Sequence, residues 1–330
     1  MKRIGISMGD SSGVGPEILL KAARENRIPV PFVVYGDMVP LQVLNAQLDL
    51  GLDLRSAASP ADCIDGKVNV VDQRMLKAED LTPGRINKAS GKAAREYVIR
   101  ATKAALAGEI AAIVTLPMNK EATQLSDPGF TGHTELIGEL CGSDDVTIML
   151  ASPDLIVTHV STHCSLRQAI ERCRKERISR IIELTCHAVQ RLNRGTRIAV
   201  AGLNPHAGEN GLFGSEEIEE IAPAVEWARG QGWNVEGPLP PDTLFYMTVR
   251  RDKFDAVVCM YHDQGHIPSK LLDFEGGVNI ALGLLIVRTS VDHGTAFDIA
   301  WKGVASTTRF EAAIGMAIRL AGSKGAAWVP

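Results

Sequence analysis

Short apolar runs alternate with amphipathic segments along nearly the whole chain. Most of the runs are rich in Val and Ile and continuously apolar, which is typical of strands that are covered on both faces. The predicted strands are Arg3–Met8, Pro31–Tyr35, Val68–Val71, Ala111–Thr115, Val146–Leu150, Leu155–Val160, Ile198–Ala201, Ala256–Met260 and Val278–Val287. Because helical patterns separate them, we expect an α/β fold with a largely parallel sheet.

Two of the helical segments have readable ends. Ser90 is predicted to cap a helix that ends near Gly108, and the apolar stripe from Ile178 to Leu192 predicts a second helix that ends at Gly195. A chain of 330 residues suggests two domains. No repeat, low-complexity tract or linker interrupts it, so we expect the domains to be joined by short crossings.

The composition removes several classes of function. The net charge of −4 and the pI of about 6.1 indicate no general attraction to nucleic acid or to an anionic membrane. No apolar segment is long enough for a membrane span, and the first residues run directly into a polar glycine loop instead of forming a signal peptide. The six cysteines form no C-x-x-C pair, which is typical of reduced thiols in a cytoplasmic protein.

Polar residues collect directly after the apolar runs. His163, His206 and His262 each follow a predicted strand at the same relative place. Ligands of open α/β sheets bind outside the carboxyl ends of the strands, and three imidazoles would leave an open position on a catalytic metal. The alternative is three separate loop histidines with structural hydrogen bonds, because the spacings carry no local signature.

Other residues suggest anion binding. His133 opens a predicted helix, where free backbone N–H groups can hold an anion. Arg288 follows the apolar run Val278–Val287, and Lys270 follows the loop of His262. Either cation would suit phosphate or carboxylate, although a surface ion pair is the ordinary role of such a residue. His159 lies within a strand and is predicted to be a satisfied core or interface group, whereas the role of His266 is left open.

The segments FTGHTE, STH, GLNPHAGENGLFG, PPDTLF, MYHDQG, VNI and RTSVDHGTA occur in this order. Together they resemble the 4-hydroxythreonine-4-phosphate dehydrogenase family, and the resemblance extends from the GDSSGVGPE loop to about Lys302. It implies an isopropylmalate-dehydrogenase-like α/β fold with a cleft between two domains, residues 1–130 with 290–330 and residues 131–289. It also implies a homodimer with metal sites at the subunit interface.

The resemblance assigns roles to particular residues. The implied ligands of one divalent ion (Zn, Co, Mn or Mg), drawn from both chains, are His163, His206 and His262. The implied residues for a small phosphorylated substrate are His133, Thr134, Lys270, Asn279 and Arg288. The segment from His293 to Ala300 resembles the one that holds the adenosine part of NAD in isopropylmalate dehydrogenases, which implies that NAD or NADP contacts Gly294, Thr295, Ala296 and Asp298.

The sequence departs from these families at two places, and it leaves the general base open. Phe297 replaces a proline of that segment, and Ser11 and Ser12 replace Pro-Ala in the first loop, where we expect added flexibility. Candidate general bases are Asp263, Lys270 and Asp242.

The stretch HDQGHIPSKLL is more similar to the branch that oxidises D-threonate or D-erythronate 4-phosphate to dihydroxyacetone phosphate and CO2 than to the vitamin B6 branch, which acts on 4-hydroxythreonine 4-phosphate. The vitamin B6 activity is therefore the main alternative, and a metal-dependent hydrolase is a remoter one.

Overall fold

The computed structural model describes residues 2–274 and 276–322. The chain divides into two compact units, Met1–Asp144 with Leu284–Pro330, and Asp145–Gly283. The sequence instead suggested boundaries at 130/131 and 289/290. The helix His133–Cys141 packs on the helix Lys88–Leu106, and the strand Arg288–Ser290 pairs with Ala112–Thr115, so these segments belong to the first unit.

The first unit contains a parallel sheet with the strand order β3-β4-β2-β1-β5-β12. Its strands are β1 (Ile4–Ser7), β2 (Phe32–Gly36), β3 (Leu54–Ala57), β4 (Val68–Asp72), β5 (Ala112–Thr115) and β12 (Arg288–Ser290). Its helices are α1 (Gly15–Arg24), α2 (Met38–Gln47), α3 (Lys88–Leu106), α4 (Lys120–Gln124), α5 (His133–Cys141) and α11 (Thr308–Gly322).

The second unit contains strands in the order β11-β6-β7-β10-β8-β9. They are β6 (Thr147–Ala151), β7 (Ile156–His159), β8 (Ile198–Ala201), β9 (Val235–Leu239), β10 (Ala256–Cys259) and β11 (Val278–Leu282). β6 is antiparallel to β7 and β11, whereas β7, β10, β8 and β9 run parallel. The helices are α6 (Leu166–Arg172), α7 (Lys175–Arg191), α8 (Ala222–Gly230), α9 (Pro241–Arg251) and α10 (His262–Leu272).

The α/β class and most predicted strands are confirmed, with three differences. The predicted strand Val278–Val287 ends early, at Leu282 in β11, because Gly283 has a φ of +87° that breaks the extended backbone, and β12 begins only at Arg288. β3 and β9 were not predicted, since their burial is partial and their sequences are more polar. The cap of α3 is Asn87, whose side chain accepts from the backbone N–H groups of Ala89 and Ser90.

Buried apolar side chains line the strands of both units. In the second unit one cluster joins Leu150, Val157, Ala199 and Val257 with Phe254. The six cysteines are free thiols. Within residues 2–274 and 276–322, no helix combines the length and the apolar character needed to cross a membrane.

Candidate active site

Arg288 is a buried cation in the first unit. It begins β12, only 3% of it is exposed, and its Nε and Nη2 donate to Thr115 Oγ1 over 3.2 and 2.7 Å. Burial lowers the pKa of Arg288 to about 10, and the negative charge of Glu135 opposes that shift only in part. A guanidinium has five N–H groups, so Arg288 retains donors for an anion.

His133 lies close enough to Arg288 for their charges to interact. It begins α5, and its Nε2 is buried with no hydrogen-bond partner among the described residues. Burial, and then the positive charges of Arg288 and Lys120, lower the pKa of His133 to about 3, so the imidazole is neutral at pH 7. The cap residue Gly132 has no side chain to occupy the first backbone N–H groups of α5, where Thr134 follows. These groups together can bind an anion.

The predicted cofactor segment packs on the first loop of the same unit. The Val14 N–H donates to the Thr295 carbonyl over 3.0 Å, and a Cβ on Gly13 would lie only 2.9 Å from Thr295 Cβ. Gly294 and Asp298 are exposed, and Ala296 has a φ of +42°. The predicted cofactor residues therefore lie beside the glycine loop.

Ser11 and Ser12 of that loop are buried and hydrogen-bonded. Both serines are buried, the Ser12 N–H donates to Asp10 Oδ1 over 2.8 Å, and the Ser11 carbonyl accepts from Trp301 Nε1 over 2.9 Å. The peptide bond between Ser11 and Ser12 therefore has both its N–H and its carbonyl in hydrogen bonds, and the flexibility expected at this loop stays a prediction.

Three neighbouring strands of the second unit deliver the three predicted metal ligands. β10 lies between β7 and β8 and is parallel to both. The carboxyl ends of these strands are therefore at one edge, where His163 follows β7, His262 follows β10 and His206 follows β8.

The three imidazoles are not equally close. The ring centroids of His163 and His262 are 5.8 Å apart, whereas the His206 side chain is 62% exposed and contacts Phe213. In the described part of the chain, no three His, Cys, Asp or Glu side chains lie close enough to hold a metal ion. A three-histidine site therefore stays a prediction that requires a second chain, as the resemblance implies.

His206 lies on a left-handed turn, Pro205–Gly211, in which residues 206–210 all have positive φ angles. Such a run is strained for residues with a side chain, and strain of this kind is concentrated at functional sites. The carboxylate of Glu217, which is 3% exposed, holds the chain just before the turn. Its Oε1 accepts from the N–H groups of Leu203 and Asn204 over 2.7 Å each, and its Oε2 accepts from Asn204 Nδ2 over 2.9 Å.

Two of the predicted ligands have a carboxylate on Nδ1. His206 Nδ1 is 3.1 Å from Glu209 Oε2, and His262 Nδ1 is 2.7 Å from Asp263 Oδ1. A carboxylate that accepts from Nδ1–H leaves the Nε2 lone pair for a metal, which is the common outer arrangement of metal-bound histidines. The donor set therefore fits a divalent ion. Asp263, which was predicted as a candidate base, makes this contact with His262.

Behind His262 lies a pair of histidines. His266 stacks on His262 with ring centroids 3.6 Å apart, and its Nδ1 is 3.1 Å from His159 Nε2. His159 is fully buried, as predicted, with Nδ1 3.2 Å from the Ile148 carbonyl. Burial is the main cause that lowers the pKa of His159 to about 3 and of His266 to about 4, so both are neutral at pH 7.

The remaining predicted residues lie on separate elements. Asn279 is in β11, and its Oδ1 is buried without a partner among the described residues. Lys270 is on α10, with its Nζ 5.5 Å from the centre of the Phe274 ring. Asp242 is exposed in the first turn of α9.

A comparison with known families gives the decisive match. The sequence profile described as "Pyridoxal phosphate biosynthetic protein PdxA" matches residues 28–317, which is most of the chain. The chain belongs to the PdxA family. A D-threonate 4-phosphate dehydrogenase of Salmonella typhimurium is 43% identical to this PdxA-family chain over 325 residues, covering 97% of this chain and 99% of the relative.

Other relatives of this PdxA-family chain have different names. A 4-hydroxythreonine-4-phosphate dehydrogenase of Desulforapulum autotrophicum is 45% identical over 328 residues, covering 95% of this chain and 94% of the relative. A crystal structure named 4-hydroxythreonine-4-phosphate dehydrogenase, from Klebsiella pneumoniae, has a TM-score of 0.88 and 43% identity, covering 97% of this chain and 100% of that one. The chain is therefore an enzyme of the dehydrogenase type.

A solved structure of much lower sequence identity confirms the expected fold. A β-decarboxylating dehydrogenase from Thermococcus kodakarensis shares the fold with a TM-score of 0.52 at 16% identity, covering 94% of this chain and 82% of that one. Glu217, Glu209 and the His159–His266 pair were not identified from the sequence. The sequence signal that could have identified His266 is the four-residue spacing of His262, His266 and Lys270, because this spacing places the three residues on one helix face.

Proposed function

We propose that this PdxA-family enzyme carries out the metal-dependent, NAD(P)-linked oxidative decarboxylation of a 4-phosphorylated four-carbon hydroxy acid. The observation that carries the proposal is the delivery of His163, His262 and His206 to one edge by the adjacent parallel strands β7, β10 and β8. Imidazoles gathered at strand ends suit a catalytic divalent ion.

The reaction balances for D-threonate or D-erythronate 4-phosphate. Oxidation at C3 removes a hydride from carbon and a proton from the hydroxyl, which leaves a β-keto acid. Loss of C1 as CO2 and uptake of one proton at C2 then give dihydroxyacetone phosphate. When bound, NAD(P) supplies the hydride acceptor, and a divalent ion supplies Lewis-acid stabilisation of negative charge on oxygen.

The phosphate end requires a fixed anion site, and Arg288 and His133 support one. Arg288 is a buried cation whose hydrogen bonds go to a neutral hydroxyl, and the buried His133 Nε2 is unpartnered among the described residues. Thr134 follows at the start of α5, and we assign Lys270 and Asn279 to the same substrate. Gly294, Thr295, Ala296 and Asp298 are assigned to the NAD(P) wall.

The chain's own residues also orient the predicted metal ligands. Glu209 and Asp263 would each accept from the Nδ1–H of His206 and His262, which keeps Nε2 of both histidines available to the ion. With Asp263 held in this way, Lys270 and Asp242 are the remaining candidates to take the substrate hydroxyl proton.

We also propose that the enzyme is a homodimer whose metal sites draw ligands from both chains. Large apolar side chains are exposed close in sequence to the histidines: Leu212, at 71%, follows the His206 turn, and Leu271, at 84%, lies on the helix of His262. A second chain that covered these two side chains would remove their apolar surface from water, which favours association.

The substrate assignment is tested by a screen of D-threonate, D-erythronate and L-hydroxythreonine 4-phosphates, each with NAD or NADP and with Zn, Co, Mn or Mg. We expect absorbance of the reduced nicotinamide to rise most with a D-acid, together with release of CO2. Stronger turnover of the hydroxythreonine phosphate would favour the vitamin B6 alternative. Metal-dependent release of inorganic phosphate without reduced nicotinamide would support a hydrolase.

A further inference from the structure

His262, His266 and Lys270 are four residues apart on α10 and therefore share one face of the helix. The first is a proposed metal ligand and the last a proposed substrate residue, so His266 lies between the two. Its ring stacks on His262 at an interplanar angle of 10°. His266 therefore lies along the face of α10 that is assigned to the reaction, although no role has been given to it.

The hydrogen bonds of His266 determine which of its nitrogen atoms carries the proton. The Ile148 carbonyl can only accept, so His159 Nδ1 is the donor of the 3.2 Å contact and the neutral His159 ring has its lone pair on Nε2. His266 Nδ1 contacts that Nε2 and the His262 carbonyl, both at 3.1 Å. Both partners are acceptors, so Nδ1 of His266 carries the hydrogen and Nε2 has the lone pair.

The backbone of α10 is built for this contact. A Cβ on Gly265 would lie 2.5 Å from His159 Nε2 and 3.0 Å from Cys259 Sγ, so a larger residue would push the helix away from the buried histidine. Residue 265 has to be glycine for α10 to approach His159 this closely.

His266 is poorly suited to be a further metal ligand. Imidazoles that share one ion converge on it with their nitrogen atoms, whereas the rings of His262 and His266 are parallel and 3.6 Å apart. A neutral ring with one lone pair is instead a hydrogen-bond acceptor, and the proposed substrate has a C2 hydroxyl that is not oxidised.

We propose that His266 Nε2 accepts a hydrogen bond from the non-reacting C2 hydroxyl of the substrate, and that His159 is a positioning residue that fixes the tautomer of His266. This inference rests on the proposed function. The contact is made equally before and during oxidation, so it contributes to substrate binding more than to the chemical step.

The test combines a His266→Leu variant with a substrate that lacks the C2 hydroxyl, 3-hydroxy-4-phosphooxybutanoate. With the complete substrate, His266→Leu should raise KM roughly tenfold and change kcat less than about threefold, the effect of one lost hydrogen bond. With the deoxy substrate, the variant and the wild type should have the same KM. The control His187→Gln removes an imidazole of α7 that contacts Trp233, and it should leave the KM of both substrates unchanged.

The tautomer is measured without turnover, by ¹⁵N NMR of the imidazoles in the metal-free dimer. We expect protonated Nδ1 at His266 in the wild type and a mixture of tautomers in His159→Phe, which loses one of the two acceptors. A protonated Nε2 at His266 in the wild type overturns the inference.

Three further outcomes also count against it. They are an unchanged KM of His266→Leu with the complete substrate, an equal rise in KM with both substrates, and loss of bound metal in His266→Leu. In each case wild-type turnover shows that the proposed function stands. Absence of wild-type turnover with every phosphorylated acid overturns the proposed function and the inference together.

Discussion

Arg288 in the first unit is buried and donates to a hydroxyl of its own chain, and the Nε2 atom of His133 is also buried, whereas His206 in the second unit is 62% exposed on a strained turn. The proposed anion-binding group Arg288 is therefore oriented by hydrogen bonds within one unit. The described histidines of the second unit do not form a three-ligand site within one chain. The comparison teaches that burial orients a charged group within one chain, whereas three histidines brought to one sheet edge do not by that alone form a three-ligand site among the described residues.

The largest effect is expected from separating the two chains of the proposed homodimer. Leu271→Asp combined with Leu212→Asp places carboxylates at two exposed leucines that are close in sequence to His262 and His206, where burying them against a partner is costly. Sedimentation should show monomers, and bound metal and dehydrogenase activity should be lost. Inorganic phosphate should still raise the melting temperature, because Arg288 and His133 are within one unit.

The matched control for this prediction is Leu125→Asp, which changes a leucine that is 51% exposed in the first unit. It should remain dimeric and metal-bound. Monomers of the double variant that keep one tightly bound ion per chain would show that a single chain completes the metal site.

The next largest effect is expected on phosphate affinity, from replacing the buried Arg288. Arg288→Met should weaken phosphate binding about 10²–10³-fold, because a buried charged hydrogen bond is lost. It should also raise the melting temperature without phosphate, since an apolar side chain replaces a buried guanidinium whose hydrogen bonds go to the neutral hydroxyl of Thr115. Calorimetry and thermal unfolding measure the two effects.

Arg74→Met, at an arginine whose side chain is 83% exposed, is the control and should change neither quantity. Unaltered phosphate affinity in Arg288→Met would show that Arg288 does not bind the phosphate.

A smaller effect is expected from the carboxylate that holds the His206 turn. Glu217→Gln replaces one acceptor oxygen with an NH2 group that faces the donors of Leu203 and Asn204. Outer residues of metal sites typically contribute 10–100-fold in affinity, so metal binding should weaken by about that factor while phosphate affinity stays constant. Glu219→Gln, on the same segment but exposed, is the control. Equal metal affinity in both variants would show that the turn does not depend on Glu217.

The smallest effect is expected on the pH dependence of stability, and it involves one histidine in each unit. The pKa of His133 in the first unit and of His159 in the second is lowered from 6.5 to about 3. The unfolded chain binds these protons below pH 6.5 and the folded chain only near pH 3, so the free energy of unfolding decreases as the pH falls through this window.

Replacing either histidine with Leu should flatten that dependence by up to about 1.4 kcal/mol per pH unit, measured by urea unfolding at several pH values. Ile137→Val, a buried change without a titrating group, should lower stability and leave the slope unchanged. A slope that stays the same in both histidine variants would show that neither imidazole is kept neutral by the fold.

The sequence by itself determined the α/β class, most of the strands and the residues at their ends, because continuous apolar runs and helical stripes report the burial of each element separately. It therefore placed His163, His206 and His262 after three strands without giving the order of those strands. It missed the break at Gly283 and the cap at Asn87, since both depend on single dihedral angles and hydrogen bonds.

Only the tertiary structure decided that β10 lies between β7 and β8, that Glu217 holds the His206 turn, and that His159 contacts His266. The last two residues are 107 positions apart, and no local period relates them. Their contact depends on strand order and on the close approach that Gly265 permits, and these are properties of packing between elements that no single element encodes.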